Sequence, residues 1–332
     1  MDDNTKKTLL SVRELVVEYG SGEDVTHAVN RVSFSLARGE VLGLVGETGA
    51  GKTTLAKSLV RLLPKPAASI RGGEIEFDGR DILKMSDAEL QHLRGARISV
   101  VFADPVSALN PTRTVGSQIA EVLALHQHLP RHIAADRAAE MLERVGISAD
   151  RAGEYPYQFS TGMRQRVVIA IALACSPDLL VADEPTTNLD VTIQTQVLDM
   201  IQSLREEKNM AMLLITHDLG IVAENCDSVA VMYAGEIIEY GSIEEIFEHA
   251  AHPYTLGLFA AMPDMSMEFE RLSPIPGCSA NLSALPTGCK FRARCPYATA
   301  DCRREDVADT LRHLGGTHYC RCGHVGGEGG GA

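Results

Sequence analysis

Length, composition and charge exclude several classes of protein at the outset. The chain has 332 residues, 45% of them hydrophobic, and a formal net charge of -13. This size and apolar content predict a globular chain of two domains, or of one large domain with an appendage. The acidic balance argues against a nucleic-acid partner, because a phosphate backbone calls for basic faces. Uncharged apolar runs stay short of the ~18 residues that a membrane span needs, so we expect a soluble chain.

The cysteine usage indicates a reducing compartment. The first residues, MDDNTKK, lack the basic and apolar regions of a signal peptide, and the chain contains eight cysteines. Without secretion, disulfides are rare and clustered thiols more often bind metal. Three of the cysteines lie in the stretch GCKFRARCPYATADC, from Gly288 to Cys302. We therefore take this stretch as a candidate metal site.

The predicted elements begin with strands, become helical and return to strands. LLSVRELVVEYG and AVNRVSFSLARGEVLGLVG have β-branched content and short apolar runs, whereas the pattern from about residue 86 to 175 is helical. Strands return in DLLVADE and AMLLITHD, and SVAVMYAGEIIEYG predicts a hairpin with its turn near Ala234 and Gly235. The order predicts an α/β core with a helical insertion. Near the end, VADTLRHL favours a helix and GGEGGGA a flexible tail.

A phosphate-binding loop (P-loop) is predicted at residues 46–53. The sequence GETGAGKT has the spacing G-x-x-x-x-G-K-[ST], directly follows the strand VLGLV and opens the helix TTLAKSLVRLL. The glycines let backbone N–H groups and the helix N-terminus face phosphates. Lys52 supplies positive charge and the Thr53 hydroxyl a Mg²⁺ ligand. The alternative is a chance glycine turn, which this strand-to-helix context makes the weaker interpretation.

Two carboxylates follow a second buried strand. Four hydrophobic residues, LLVA, lead into Asp183 and Glu184, at the strand end where α/β sheets bind ligands. One carboxylate can hold Mg²⁺ through water while the other polarises an attacking water. Alternatively, both merely favour the N-terminus of a helix after Pro185. The P-loop upstream favours the catalytic interpretation.

Four motifs in this order resemble the ATPase subunit of ATP-binding cassette (ABC) transporters: GETGAGKT, FSTGMRQRV, LLVADEPTTNLD and LLITHD. The resemblance covers about residues 8 to 250. The segments HPYT and PIPG and the cysteine-rich stretch extend it to the oligopeptide, dipeptide and nickel importer subfamily. It implies an ABC-type nucleotide-binding domain at 1–250, with an antiparallel β subdomain and a helical subdomain at about 86–175. Residues 251–332 would then form a C-terminal extension.

The resemblance also implies roles for individual residues. Each ATP would lie between the P-loop of one subunit and the signature motif (residues 159–163) of another. Glu184 would be the catalytic base, His217 the sensor of the γ-phosphate and Tyr19 the ring that stacks on adenine, with Asp190 in the loop that links the two sites. Alone, a histidine after a strand or a strand tyrosine is more often structural. The nucleotide contacts implied by position are Gly46, Gly49, Gly51, Lys52, Thr53, Thr54, Asp183, Ser160 and Gly162, with Thr53 and Asp183 at the Mg²⁺.

Two residues depart from the family pattern. Ala103 stands where the family usually has the glutamine that reaches Mg²⁺ and the attacking water, and a methyl group makes neither contact. Thr161 replaces the first glycine of the signature motif, so a Cβ lies where the backbone would approach phosphate. We expect slowed or asymmetric hydrolysis. Alternatively, the two replacements are neutral sequence drift, and a partner subunit compensates for their effect on hydrolysis.

The resemblance further implies partners and a location. The chain would pair with a second ATPase subunit, a heterodimer being favoured over a homodimer, beside two membrane permeases and, indirectly, an extracytoplasmic substrate-binding protein. It would be peripheral, on the cytoplasmic side of the membrane, and power import of peptides or of a related small substrate such as a nickel chelate. Two alternatives stay open: an ABC-type ATPase outside transport, and a regulatory nucleotide-binding module with little turnover. The spacing argues against an ABC-type ATPase outside transport, because the interval between the P-loop and the signature motif is too short for a long coiled coil.

The cysteine-rich stretch predicts a metal centre. Its cysteines are spaced more widely than the usual pairs at structural zinc, and the resemblance implies a 4Fe-4S cluster. Zinc, free thiols and a disulfide are the alternatives. The predicted ligands are Cys289, Cys295, Cys302 and Cys320, with Cys322 as the narrow alternative to Cys320.

Overall fold

The computed structural model describes residues 7–21, 24–187, 189–262, 274–308 and 311–324. The chain divides into two compact units. The first comprises Met1–Leu10, Leu36–Val41 and Phe77–Ile215, and the second Ser11–Ser35, Leu42–Glu76 and Thr216–Ala332. The domain limit predicted at residue 250 and the helical subdomain stay predictions, and the GGEGGGA tail lies outside the described residues.

The strands alternate with helices along most of the chain. The strands are β1 Thr8–Ser21, β2 Asp24–Ala37, β3 Val41–Val45, β4 Ala68–Phe77, β5 Arg80–Asp81, β6 Ile98–Val101, β7 Leu179–Asp183, β8 Ala211–Thr216, β9 Ser228–Tyr233, β10 Glu236–Ser242, β11 Arg312–Gly315 and β12 His318–Cys320.

The helices are concentrated between β6 and β7 and after β8. They are α1 Lys52–Leu59, α2 Asp87–Leu93, α3 Pro105–Ala108, α4 Val115–Gln127, α5 Arg131–Arg144, α6 Thr161–Leu173, α7 Val191–Lys208, α8 Leu219–Asn225, α9 Ile243–His249, α10 Pro253–Ala260 and α11 Glu305–Ala308. Short 3-10 turns lie at Ile82–Lys84, Ala149–Gly153, Pro156–Gln158 and Ala300–Arg303.

A parallel sheet of β6, β7 and β8 lies in the first unit. Val101 pairs with Ala182, and Asp183 pairs with Ile215, so the three strands end at one edge. The strands predicted in DLLVADE and AMLLITHD are confirmed, and every residue of β7 and β8 is buried. The helical pattern predicted over 86–175 is wrong at β6. Its sequence, ISVV, is β-branched and gains a full ladder beside β7.

The second unit contains a mixed sheet. β3 runs parallel to β9, β9 and β10 form the predicted hairpin, and β12 pairs with β10 and β11 in antiparallel fashion. Ala234 and Gly235 make its turn with φ values of 49° and 83°, a backbone that fits a tight hairpin. Residues 11–21 of β1, residues 24–35 of β2 and most of β4 belong to a separate sheet, in which β1 lies between β2 and β4.

The helix predicted for VADTLRHL is wrong in its second half. Among the described residues of this segment, Glu305–Ala308 is helical, and Arg312–Gly315 forms β11, which pairs with β12 through His313 and Tyr319. The ladder with β12 outweighs the helical pattern of this short segment.

Residues of the C-terminal extension belong to the hydrophobic core of the second unit. Tyr254 and Phe291 are buried with strand residues such as Val231 and Tyr233. Their rings pack at centroid distances of 4.7 Å for Tyr233–Tyr254 and 5.4 Å for Tyr254–Phe291. The extension is therefore folded against β9 and β10. Within the described ranges, every helix is too short or too polar to span a bilayer.

Candidate nucleotide site

The P-loop lies between β3 and α1, as its sequence context predicts. A Cβ added to Gly46 would lie 2.1 Å from the carbonyl oxygen of Met232, and one added to Gly51 would lie 2.1 Å from that of Ala28. Gly46 has φ 154° and Gly51 φ 106°, values that L side chains rarely adopt. Both positions therefore require glycine. Gly49 has φ 85°, and a Cβ there would meet no atom within 4 Å.

Lys52 and Thr53 open the helix that follows the loop. The Lys52 side chain is buried, and its Nζ donates to the carbonyl oxygens of Gly46 at 2.6 Å and Glu47 at 3.0 Å. Thr53 is exposed in the first turn of α1, which carries no acidic residue. The exposed hydroxyl and the positive end of the helix suit a phosphate with its Mg²⁺.

Tyr19 lies on β1 beside this helix. Its hydroxyl is 3.3 Å from the Thr54 hydroxyl, and the ring is half-buried. The structure thus brings Tyr19 and Thr54 together within the second unit. The predicted stacking of Tyr19 on adenine stays a prediction.

The two carboxylates stand at the end of β7 in the first unit. Asp183 is buried, with 3% of its surface exposed, and Glu184 follows it with a left-handed φ of 50°. The Glu184 N–H donates to the Ile215 carbonyl oxygen at 2.9 Å, and its Oε2 accepts a hydrogen bond of 3.0 Å from the Thr187 hydroxyl. The neighbouring strand thus holds the backbone of Glu184, the proposed base, and Thr187 holds its carboxylate. Sequence reasoning missed Thr187.

Ala103 lies at the same edge of this sheet. It follows β6, whose last residue, Val101, pairs with Ala182 immediately before Asp183. Asp104, the next residue, caps α3 by accepting a hydrogen bond of 2.9 Å from the Val106 N–H. Ala103 therefore presents a methyl group beside the strand edge at which β7 ends.

The signature motif forms the N-terminus of α6 in the first unit. Ser160 caps the helix by accepting from the Met163 N–H at 3.3 Å, and Ser160 and Thr161 are exposed. A Cβ at Gly162 would lie 3.1 Å from a methyl group of Ile193. The first turn contains no acidic residue, so an exposed helix N-terminus is available to an anion.

His217 directly follows β8 and is exposed. The next residue, Asp218, caps α8 by accepting from the Gly220 N–H at 2.8 Å, and its own N–H donates to the Thr216 hydroxyl at 3.1 Å. Asp190, which precedes α7, similarly caps that helix through the Ile193 N–H at 3.0 Å. The capping carboxylates fix the backbone at both motifs.

The C-terminal extension contacts the P-loop through residues that were not among the predicted site residues. Arg294 donates from its two terminal nitrogens to the two carboxylate oxygens of Glu47, each at 2.8 Å. The Tyr254 hydroxyl accepts a hydrogen bond of 2.9 Å from the Glu47 N–H. The Arg294 hydrogen bonds hold the pKa of the Glu47 carboxyl below its usual range. The only sequence signal was the placement of Tyr254 within the HPYT segment.

The predicted cysteine cluster is wrong. A cavity of about 20 Å³ is lined by Cys289, Cys295, Cys302, Cys322 and His324 among others, but not by Cys320. No group of three or more His, Cys, Asp or Glu side chains in the described residues could hold a metal ion. The 4Fe-4S assignment, and with it the choice of Cys320 over Cys322, is overturned, and nothing here supports the zinc alternative.

The position of Cys320 gives the physical reason for this correction. Around the cavity, burial raises the pKa of the Cys289 thiol to about 11 and raises the pKa values of Cys295 and Cys322. Cys320 is fully buried on β12 opposite Glu239, and its thiol pKa is raised by burial and by that carboxylate. The predicted set of four is therefore not assembled, because Cys320 is held in the strand ladder while Cys289, Cys295 and Cys302 line the cavity.

A glycine-rich loop that opens a helix, with its lysine and hydroxyl, and a buried strand that ends in two carboxylates define a P-loop ATPase. Within the second unit, Lys52 and Thr53 are groups that suit phosphates and Mg²⁺, and within the first unit Asp183 is a carboxylate of the kind that Mg²⁺ prefers.

Comparison with known proteins specifies the family. A family model described as ABC transporter matches residues 29–187, and one described as oligopeptide/dipeptide transporter, C-terminal region, matches residues 238–302. The chain is 46% identical over 309 residues to the probable peptide ABC transporter ATP-binding protein y4tR of Sinorhizobium fredii, covering 92% of each chain. It is 44% identical over 314 residues to the dipeptide transport ATP-binding protein DppD of Bacillus subtilis, covering 94% of each. The chain therefore belongs to the ABC transporter family, as an ATPase.

Solved structures agree with this fold. The ATP-binding cassette MJ0796, solved as a dimer bound to ADP and Pi, matches with a TM-score of 0.65 and 25% identity, covering 71% of this chain and 99% of that one. The cbiO1 protein of Clostridium perfringens, part of the transporter complex cbiONQ, matches with a TM-score of 0.63 and 30% identity, covering 73% and 92%. The predicted α/β cassette fold is confirmed.

Proposed function

We propose that this chain is the ATP-hydrolysing subunit that powers import of peptides through an ABC transporter. One observation carries the proposal: the cassette is followed, in the same chain, by the C-terminal region of oligopeptide and dipeptide transporters. Relatives that span nearly the whole length are named as peptide or dipeptide transport ATP-binding proteins, which supports a peptide cargo over a nickel chelate.

The predicted site residues have separate roles in ATP hydrolysis. Lys52 would bind the phosphates, and Thr53 and Asp183 would hold a Mg²⁺ ion, which would supply positive charge against the phosphate oxygens. Glu184 accepts a proton from water as the water oxygen attacks the γ-phosphorus and the bond to the bridging oxygen breaks, releasing ADP. His217 donates a hydrogen bond to the γ-phosphate as its charge develops.

The chain is proposed to work beside a second, different ATPase subunit on the cytoplasmic face of two membrane permeases. A substrate-binding protein would deliver the cargo from outside. The two departures from the family pattern support a heterodimer. In a homodimer every composite site would contain both Ala103 and Thr161. In a heterodimer each site would contain only one of them.

Reconstitution tests this function. The chain is purified with its permease subunits and the second ATPase subunit in nanodiscs, and ATP hydrolysis is measured with the binding protein, with and without peptide. We expect peptide-loaded binding protein to stimulate hydrolysis. The Lys52→Ala variant provides the control, because it should lose nucleotide binding. Stimulation by a nickel chelate but not by peptide would overturn the proposed cargo, and unchanged ATP affinity in the Lys52 variant would overturn the nucleotide site.

A further inference from the structure

The first half of the P-loop is attached to the C-terminal extension by a partly buried ion pair. The Arg294 side chain is 7% exposed and that of Glu47 is 24% exposed. Both Arg294–Glu47 hydrogen bonds measure 2.8 Å, the two-pronged geometry in which a guanidinium holds a carboxylate most rigidly. The two residues lie 247 positions apart in the chain. This contact therefore joins the P-loop to a distant segment.

Further groups of the extension converge on the same residue. The Ser279 hydroxyl donates to Oε2 of Glu47 at 2.6 Å, and the Tyr254 hydroxyl accepts from its N–H at 2.9 Å. Backbone and side chain of Glu47 are thus both held by the extension.

Arg294 itself is fixed by its surroundings. Its Nε donates to the Pro276 carbonyl oxygen at 2.9 Å, and its guanidinium lies 5.8 Å from the ring centroids of both Tyr233 and Phe291. A planar cation held by a carbonyl and two rings has little freedom to follow a moving loop. The extension is thus built to hold Glu47 in one place.

Glu47 in turn determines where Lys52 lies. The carbonyl oxygen of Glu47 accepts from Lys52 Nζ at 3.0 Å and from the Ala50 N–H at 3.1 Å. The loop backbone and the ammonium that bind phosphate are therefore arranged around a residue whose own position depends on Arg294. Without Arg294, the Glu47 carboxylate would also lose its ion-pair partner and leave more negative charge on a phosphate-binding loop.

We propose that Arg294 is a positioning residue for nucleotide binding, through which the C-terminal extension sets the shape and the charge of the P-loop. The inference depends on the proposed nucleotide site but adds a role for the extension, which lies outside the phosphate-binding motif. It requires that ATP affinity, and not only folding, respond to changes at Arg294 and Ser279.

Equilibrium binding of Mg-ATP to the full chain tests the proposal. We expect Arg294→Ala to weaken binding about tenfold or more. Glu47→Gln should weaken it less, because the amide oxygen still accepts one hydrogen bond from Arg294 and no negative charge is left on the loop. In the Glu47→Gln, Arg294→Ala double variant this negative charge is gone, so its affinity should exceed that of Arg294→Ala alone.

Controls separate positioning from folding and from the nucleotide site itself. Ser279 is exposed, so Ser279→Ala should fold normally and still weaken binding about two- to threefold. Arg304→Ala removes an exposed arginine of the extension, paired with Asp306, and should leave affinity unchanged. Equal affinity in wild type, Arg294→Ala and Ser279→Ala would overturn the inference while Lys52→Ala still abolished binding. If Lys52→Ala also bound ATP normally, the nucleotide site would fail first.

Discussion

The hydroxyl of Thr187 donates a hydrogen bond of 3.0 Å to Oε2 of Glu184. Glu184 directly follows the last residue of β7 and adopts a left-handed φ of 50°. A residue with a Cβ pays on the order of 1–2 kcal/mol for this conformation, so the surrounding structure must impose it. The carboxylate is therefore aimed by its backbone and by Thr187 together.

Replacing Glu184 with glutamine should separate binding from chemistry. The amide preserves size and still accepts a hydrogen bond from Thr187, but it cannot take a proton from water. We expect unchanged Mg-ATP affinity and hydrolysis reduced ~100-fold or more in the assembled transporter. Binding is measured by equilibrium titration and turnover by phosphate release. Persistent turnover would place the catalytic site in the partner subunit.

Replacing Thr187 with valine removes one hydroxyl and keeps the side-chain shape. We expect kcat to fall about three- to tenfold with little change in KM, since one positioning hydrogen bond contributes roughly 1 kcal/mol. Thr195→Val, at an exposed position of α7, is the matched control and should leave kcat unchanged. A rise in KM alone would mean that Thr187 acts on nucleotide binding instead.

Local patterns predicted the parts of the site that follow one another in the chain. The P-loop and the strand before Asp183 and Glu184 are visible in the sequence because a phosphate loop needs glycines at fixed spacing and a buried strand needs an unbroken apolar run. The hairpin turn at Ala234 and Gly235 was visible for a similar reason. Each of these features is decided within about ten residues.

Features that depend on distant partners could not be predicted in this way. The spacing of the cysteines could not show that Cys320 lies in a sheet ladder, opposite Glu239, while Cys322 lines the cavity. Nor could it show that Arg294 meets Glu47. Strand β6 was missed because four β-branched or small residues inside a helical stretch are recognised only when a neighbouring strand pairs with them.

Restoring the family residue at position 103 tests the clearest departure in the first unit. Ala103 follows β6 at the edge of the sheet where β7 ends in Asp183 and Glu184. The side chain of an introduced glutamine would therefore extend from the same edge as these two carboxylates. We expect Ala103→Gln to raise ATP hydrolysis, or its coupling to peptide uptake, about two- to tenfold through the added Mg²⁺ and water contacts. Ala103→Leu adds bulk without an amide and should give no gain. Equal rates in all three proteins would show that another group already fills this role.

The buried imidazole of His252 should make stability depend on pH. His252 is 2% exposed, its Nδ1 accepts a hydrogen bond of 3.0 Å from the Tyr254 N–H, and burial lowers its pKa from 6.5 to about 3. As pH falls below 6.5, the His252 imidazole binds a proton in the unfolded chain but stays neutral in the folded chain. The stability contributed by neutral His252 is therefore complete above pH 6.5 and is lost as pH falls toward 3, at about 1.4 kcal/mol per pH unit.

The variant His252→Asn isolates this contribution. Asparagine can still cap α10 by accepting from the Tyr254 N–H but does not titrate, so the variant should be less stable at pH 7.5 and yet lose less stability between pH 6.5 and 5. Urea unfolding at a series of pH values measures both quantities. His249→Asn, at an exposed position of α9, should keep the wild-type slope. Parallel slopes for wild type and His252→Asn would show that folding does not lower the pKa of His252.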